Sequence, residues 1–199
     1  MNNRHTKISF FYVLFILLIS LSLSFSISEF LYKVPATKKL EFFISSQYVN
    51  TDYFNDKLSV IDNVEKINII PRSIENKYYN EAFQTVGMFS DLLIIPEKLI
   101  NDEDKAFSYF PIEFKYFIEN KITYSSFDLI VYKNVCYGIV IYDKEKNINL
   151  FKDYIQFETN ERYVLCIGKS TPNHYIKPAN KKQTSNAIKG FLELIKDFD

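Results

Sequence analysis

Few side chains in this sequence could do chemistry. There are two histidines, too few for a multi-histidine metal centre. His174 is the one that follows the apolar N-terminal stretch, so a Ser–His or Cys–His pair would have to use it. Ser170 precedes it in a loop with Pro172, but no G-x-S-x-G elbow, orienting acid or oxyanion loop accompanies them, and a polar loop is the simpler reading. Asp102-Glu103-Asp104 is a run of like charges outside any apolar pattern, which reads as a solvated turn. With 4 glycines the chain has no glycine-rich phosphate loop. Cys136 and Cys166 fall in two predicted strands. If those strands adjoin, a bridge would add about 3 kcal/mol; otherwise both thiols are small buried fillers. Tyr48 and Tyr53 follow the first predicted strand, where open α/β sheets place ligands. Their rings could stack on a sugar or simply pack into the core.

Composition narrows the classes further. The 199 residues carry 24 Lys+Arg against 24 Asp+Glu, with a pI near 6.7. A nucleic-acid binder normally shows a basic surplus, and none is present. Tryptophan is absent, arginine occurs only at Arg4, Arg72 and Arg162, and the 17% aromatic content reads mainly as core material. No cofactor is implied.

The charge balance hides two unlike parts. Residues 8–27, ISFFYVLFILLISLSLSFSI, contain no charged side chain. A helix of that length reaches roughly 30 Å, the hydrocarbon thickness of a bilayer. Arg4 and Lys7 precede it and no acid occurs before Glu29, which favours a cytoplasmic N-terminus over residues 1–7 and export of the rest. The expectation is a single-pass transmembrane anchor in the cell membrane. Its alternative is a signal peptide cleaved near Ser26-Ile27-Ser28 and a secreted product. The part beyond the anchor carries a mild excess of acid.

Residues 28–38, with Pro35, read as a linker, and 39–199 as one extracytoplasmic domain of alternating strands and helices. Leu40 to Ser45, Lys66 to Pro71 and Asp91 to Pro96 are strands, separated by a helix from a cap at Thr51 or Asp52 to Ser59 and a helix from Ile74 to Val86 closed by Gly87. Tyr78, Ala82 and Phe83 would face the sheet. A helix follows Pro111 from Ile112 to Glu119; Phe127–Tyr132 and Val135–Tyr142 form a hairpin about Lys133-Asn134; Arg162–Gly168 is a strand; and Lys181–Phe198 is an amphipathic helix. Short strands alternating with helices predict an open, mostly parallel sheet with helices on both faces.

The order LEFFISS, INIIPRS, SDLLIIPE, YGIVIYD and ERYVLCIGKSTPNHY, closed by an amphipathic helix, resembles extracellular solute-binding proteins of sugar-type ABC transporters. Ser90-Asp91 matches the pair that opens the third strand of that family's first lobe, and Tyr137 to Tyr142 the stretch where the chain leaves it. The chain after Tyr142 is too short for a second lobe, so the resemblance is to a single lobe. It implies a non-enzymatic binding domain with ligand contacts at Ser46, Tyr48, Ser90 and Asp91. The implied partners are a small solute (sugar or peptide) or an ABC-transporter permease. A degenerate lobe serving as a protein-interaction or structural module of the envelope is the other reading.

Overall fold

The structure is a computed structural model that describes residues 14–22, 34–170 and 185–198. It divides into two units, Met1–Pro35 and Ala36–Asp199. In the first, residues 14–22 are helical. Among the described residues no helix is long and apolar enough to cross a membrane; the remainder of the predicted anchor over 8–27 lies outside them.

In the second unit, β1 (Lys39–Ile44) leads through β2 (Tyr48–Val49) to α1 (Thr51–Ser59), and then come β3 (Lys66–Pro71), α2 (Tyr79–Thr85) and β4 (Leu92–Pro96). Two short helices follow, α3 (Glu103–Ala106) and α4 (Phe114–Glu119), then β5 (Leu129–Tyr132), β6 (Val135–Asp143), β7 (Ile148–Asn149), β8 (Ile155–Gln156), β9 (Tyr163–Ile167) and α5 (Asn186–Ile195). The main sheet has the order β3-β1-β4-β9-β6-β5, with β7 on β6. β1 is parallel to β3 and to β4, whereas β4–β9, β9–β6 and β6–β5 are antiparallel.

The sequence predicted a mostly parallel sheet, and here the structure corrects it. β1, β3, β4 and β6 point one way, but β9 is inserted against them between β4 and β6. The fold is α/β with a mixed sheet. β4 and β9 are buried at every position, the mark of central strands covered on both faces. Periodicity reports that burial but not strand direction.

Helices do cover both faces. Phe54 and Leu58 of α1, Phe117 of α4 and Ala187, Ile188, Phe191, Leu192 and Ile195 of α5 share one apolar cluster with Leu40, Phe42 and Ile44. Tyr79 and Phe83 of α2 and Ala106 of α3 join Phe43, Leu93, Ile95 and Val164 in the other. β1 shows the alternation directly: Phe42 enters one cluster and Phe43 the other.

Local chemistry sets several element ends. Asn50, rather than Thr51 or Asp52, caps α1 by accepting from the Tyr53 backbone N–H at 3.1 Å. α2 starts only at Tyr79, so Tyr78 is exposed and Tyr79 takes the buried place predicted for it. Gly87 opens a 3-10 turn instead of closing the helix. The hairpin turn at Lys133 and Asn134 has φ of 48° and 62°, the doubly left-handed turn that suits the twist of paired strands.

The β5–β6 ladder slips between Ile130 and Val131, pairing Ile130 with Gly138 and Val131 with Cys136. The slip places Cys136 in the cluster of α1 and α5 and Cys166 in the opposite one. Both thiols are free and buried, so the filler alternative holds. Burial pushes the Cys136 thiol up to about 12 and Cys166 well above its ordinary value, which leaves neither activated as a nucleophile.

Candidate functional site

Because β9 opposes its neighbours, the carboxyl ends of β1, β3, β4 and β6 meet the start of β9 along one edge of the sheet. The connections leave this edge in opposite directions: α1 packs on one face and α2 on the other. Strand ends where the connections diverge are the usual place for a ligand in an open α/β sheet.

Ser45, the first residue past β1, donates its N–H to the Ile94 carbonyl at 2.9 Å. Its hydroxyl lies 2.6 Å from the Tyr79 hydroxyl, and both groups are buried. Burial raises Tyr79 to about 12, against a lowering from the Ser45 hydrogen bond, so the pair is a satisfied buried contact and not a general base. The next hydroxyl, Ser46, is fully buried; it donates to the Gln156 carbonyl at 2.7 Å and accepts the Tyr48 N–H at 3.1 Å. Beyond it the Gln47 N–H reaches Glu158 Oε1 at 2.9 Å, and Ser73, just past β3, donates to Glu158 Oε2 at 2.5 Å. One carboxylate thus takes a donor from each of two neighbouring strand ends.

Glu158 and Gln156 belong to a strap, residues 144–162, that joins β6 to β9. The strap returns to the strand ends and pairs β8 with β2. Tyr154 at its middle accepts the Asn50 N–H at 2.8 Å and stacks on Tyr53 with ring centroids 3.4 Å apart. Phe151 and Ile155 anchor it in the core. Tyr53 is therefore packed, whereas Tyr48 stands 58% exposed past the end of β1.

Further along the same edge, Arg162 at the start of β9 gathers three carboxylates. Its guanidinium donates to both oxygens of Glu97 at 2.8 Å and to Asp128 at 2.9 Å. Its Nε sits 2.9 Å from Asp143 Oδ2 without the alignment of a hydrogen bond. Lys146 adds a second cation on Asp128 at 2.6 Å. The register explains the gathering: Glu97 follows β4, Asp143 ends β6 and Asp128 precedes β5, all at the edge where β9 begins.

The four residues expected at the site fall into two groups. Ser46 and Tyr48 lie at the carboxyl ends. Ser90 and Asp91 lie before β4 at the opposite edge, since Phe42 pairs with Leu92 and Ile44 with Ile94; about five residues of strand, roughly 17 Å, intervene. Both are buried and used structurally: Asp91 Oδ2 accepts the Glu41 N–H at 2.7 Å, and Ser90 donates to the Val86 carbonyl at 3.0 Å. Ser170 is exposed at the end of the described segment, and His174 lies outside the described residues. Asp102 caps α3 through the Lys105 N–H, which holds its carboxyl below the usual range, and Glu103 pairs with Lys133. Among the described residues no cluster of His, Cys, Asp and Glu could hold a metal ion.

A concavity of about 320 Å³ past the ends of α1 and α4 and beside α5 is lined by Ile61, Asp62, Asn120, Ile122, Lys189 and Leu192. None of the residues expected at the site lies in it. Sequence reasoning also missed Glu158 and Ser73, because their partners are 111 and 85 residues distant. Arg162 carried one signal, the scarcity of arginine in a lysine-rich chain. Comparison of the chain with protein-family models, with curated proteins and with solved structures finds no match.

Proposed function

We propose that this chain is a non-enzymatic binding domain of solute-binding-protein type, held outside the cell membrane by its N-terminal segment and acting as a single lobe. The observation that carries the reading is the cluster of polar groups gathered at the strand ends. The chain leaves the sheet by β6 and returns by β9 beside β4, and the polar groups of Ser46, Gln47 and Ser73 are turned toward the strap between them. The strand segments that resemble that family supply the family part of the proposal. A site walled on one side buries less of a ligand than a closed cleft, so binding is weak unless an ABC-transporter permease supplies the other wall.

The test is calorimetry of the full chain in mild detergent against oligosaccharides, short peptides and small carboxylic acids. Saturable binding to one class supports the proposal, and silence across all three overturns it. Intact mass of the protein recovered from membranes tests the anchor, which fails if roughly the first 28 residues are gone.

A second reading has its own support. Ser46 and Ser73 already have partners inside the chain, as they would in a degenerate lobe kept for protein contact. Cross-linking that returns a permease from a protein silent in calorimetry would favour it.

A further inference from the structure

We propose that the Glu158 side chain is an internal stand-in for a ligand carboxylate, and that the donors at the ends of β1 and β3 form a carboxylate site which a solute enters when Glu158 swings out. The inference rests on the binding-domain reading and adds the chemical class of the solute.

The geometry is that of bidentate carboxylate recognition. Gln47 N–H and Ser73 O–H each take one oxygen of the same group, at 2.9 and 2.5 Å. The two donors come from loops leaving adjacent parallel strands, at the divergence of α1 and α2. The Ser73 hydroxyl is itself oriented by accepting the Glu75 N–H at 3.2 Å, which leaves its proton for the carboxylate. Arg72, next in sequence, supplies positive charge to the same loop while its guanidinium donates to the Pro71 carbonyl.

Glu158 is held less firmly than the strap that carries it. Phe151 and Ile155 before it are buried, and Arg162 after it is tied to three carboxylates, so the strap is fixed on both sides. Glu158 itself is only half-buried. Rotating its side chain into water breaks two hydrogen bonds and disturbs no apolar packing. An incoming carboxylate remakes both. Glu158 then acts as a competitor present on every molecule, and apparent affinity falls in proportion to the fraction of time the site stands free. A neutral hydroxyl can accept from these donors but brings neither the charge nor the paired oxygens of a carboxylate, so the arrangement favours acids.

The experiment uses the full chain in mild detergent, as wild type, Glu158→Ala, and Glu158→Ala with Ser73→Ala. Melting is followed against sodium acetate and sodium formate, with sodium chloride at matched ionic strength. Glu158→Ala should melt lower than wild type without ligand and rise by about 3–6 °C at tenfold over its dissociation constant. It should bind acetate at least tenfold more tightly than wild type, and the double variant should lose the response. No acetate shift beyond that of chloride in Glu158→Ala overturns the site, and an equal shift in wild type overturns the stand-in role. If Glu158→Ala does not fold, amide spectra of wild type in acetate decide: movement of the Gln47 and Ser73 resonances supports the site, and their silence overturns it. Equal binding of a neutral oligosaccharide by wild type and Glu158→Ala would refute this inference while sustaining the binding-domain reading. Silence toward acids, sugars and peptides together removes both.

Discussion

The Ser45–Tyr79 pair gives a sharp test of how this sheet edge is held. Ser45 is fully buried, Tyr79 is 7% exposed, and their hydroxyls lie 2.6 Å apart. Tyr79→Phe keeps the ring against Phe43 and Phe83 and removes only the oxygen that satisfies Ser45. A buried hydroxyl deprived of its partner costs about 1–3 kcal/mol, whereas replacing both partners by apolar groups of the same shape is nearly neutral. Tyr79→Phe and Ser45→Ala should therefore each lower unfolding free energy by about 2 kcal/mol, and the double variant by less than about 1 kcal/mol. Urea unfolding followed by circular dichroism measures all four corners of the cycle, and each kilocalorie moves the melting temperature by roughly 2–4 °C in a chain of this size. Two singles that add to give the double would refute the reasoning, because that would mean the hydroxyls do not depend on one another.

Four further outcomes follow from the same packing. Gly138→Ala would put a Cβ 2.5 Å from Val164 Cγ1 and 2.8 Å from the Leu165 carbonyl oxygen, so it should cost at least about 2 kcal/mol by denaturant titration. Gly190→Ala, whose new Cβ would lie 3.0 Å from only the flexible end of Leu92, should fall within about 1 kcal/mol of wild type, since the helix-propensity gain offsets the squeeze. Arg162→Met would strip three carboxylates of their shared cation, one of them the almost fully buried Asp143. It should cost about 2–3 kcal/mol, read as a lower urea midpoint at unchanged slope. In alkali, Tyr79 and Tyr163 are each raised by burial from 10.0 to about 12. The unfolded chain loses those protons first, so the stability they contribute is complete below pH 10 and lost as pH rises through 12. Tyrosinate absorbance should show these two ionising only together with unfolding; earlier titration would contradict their burial.

What could be read from the residues alone was what local pattern determines. The apolar runs at Lys66–Pro71 and Leu92–Pro96, the stripe from Ala187 to Ile195 and the turn at Lys133-Asn134 all carry their signal within a dozen residues. Strand direction did not, because β9 reads as a buried apolar run whichever way it points, and its place between β4 and β6 is fixed by long-range register. The site divides in the same way. Tyr48 was singled out because it follows a strand, a local property, and Ser46 because of the resemblance; both lie past the end of β1. Ser90 and Asp91 follow from the resemblance, and the structure puts them at the other edge, where Asp91 closes the start of β1 by accepting from Glu41. Glu158 had no local mark at all.

The strap explains how the polar groups at these strand ends are satisfied from within the domain. Parallel strands that end side by side leave polar groups, here the Ser46 and Ser73 hydroxyls and the Gln47 N–H, which are costly to bury without partners. A second lobe or a ligand would meet that need from outside. In this chain Gln156 and Glu158 meet it from within, and the β2–β8 ribbon with the Tyr53–Tyr154 stack holds them in place. The contribution of Glu158 to stability and its resistance to a ligand are then one quantity with opposite signs. A substitution that weakens the plug should lower the melting temperature of the empty protein and raise carboxylate affinity in proportion. A series at position 158, from Gln through Ala to Gly, should fall on a single line when the two are plotted together, and scatter without correlation would mean that the strap is structural alone.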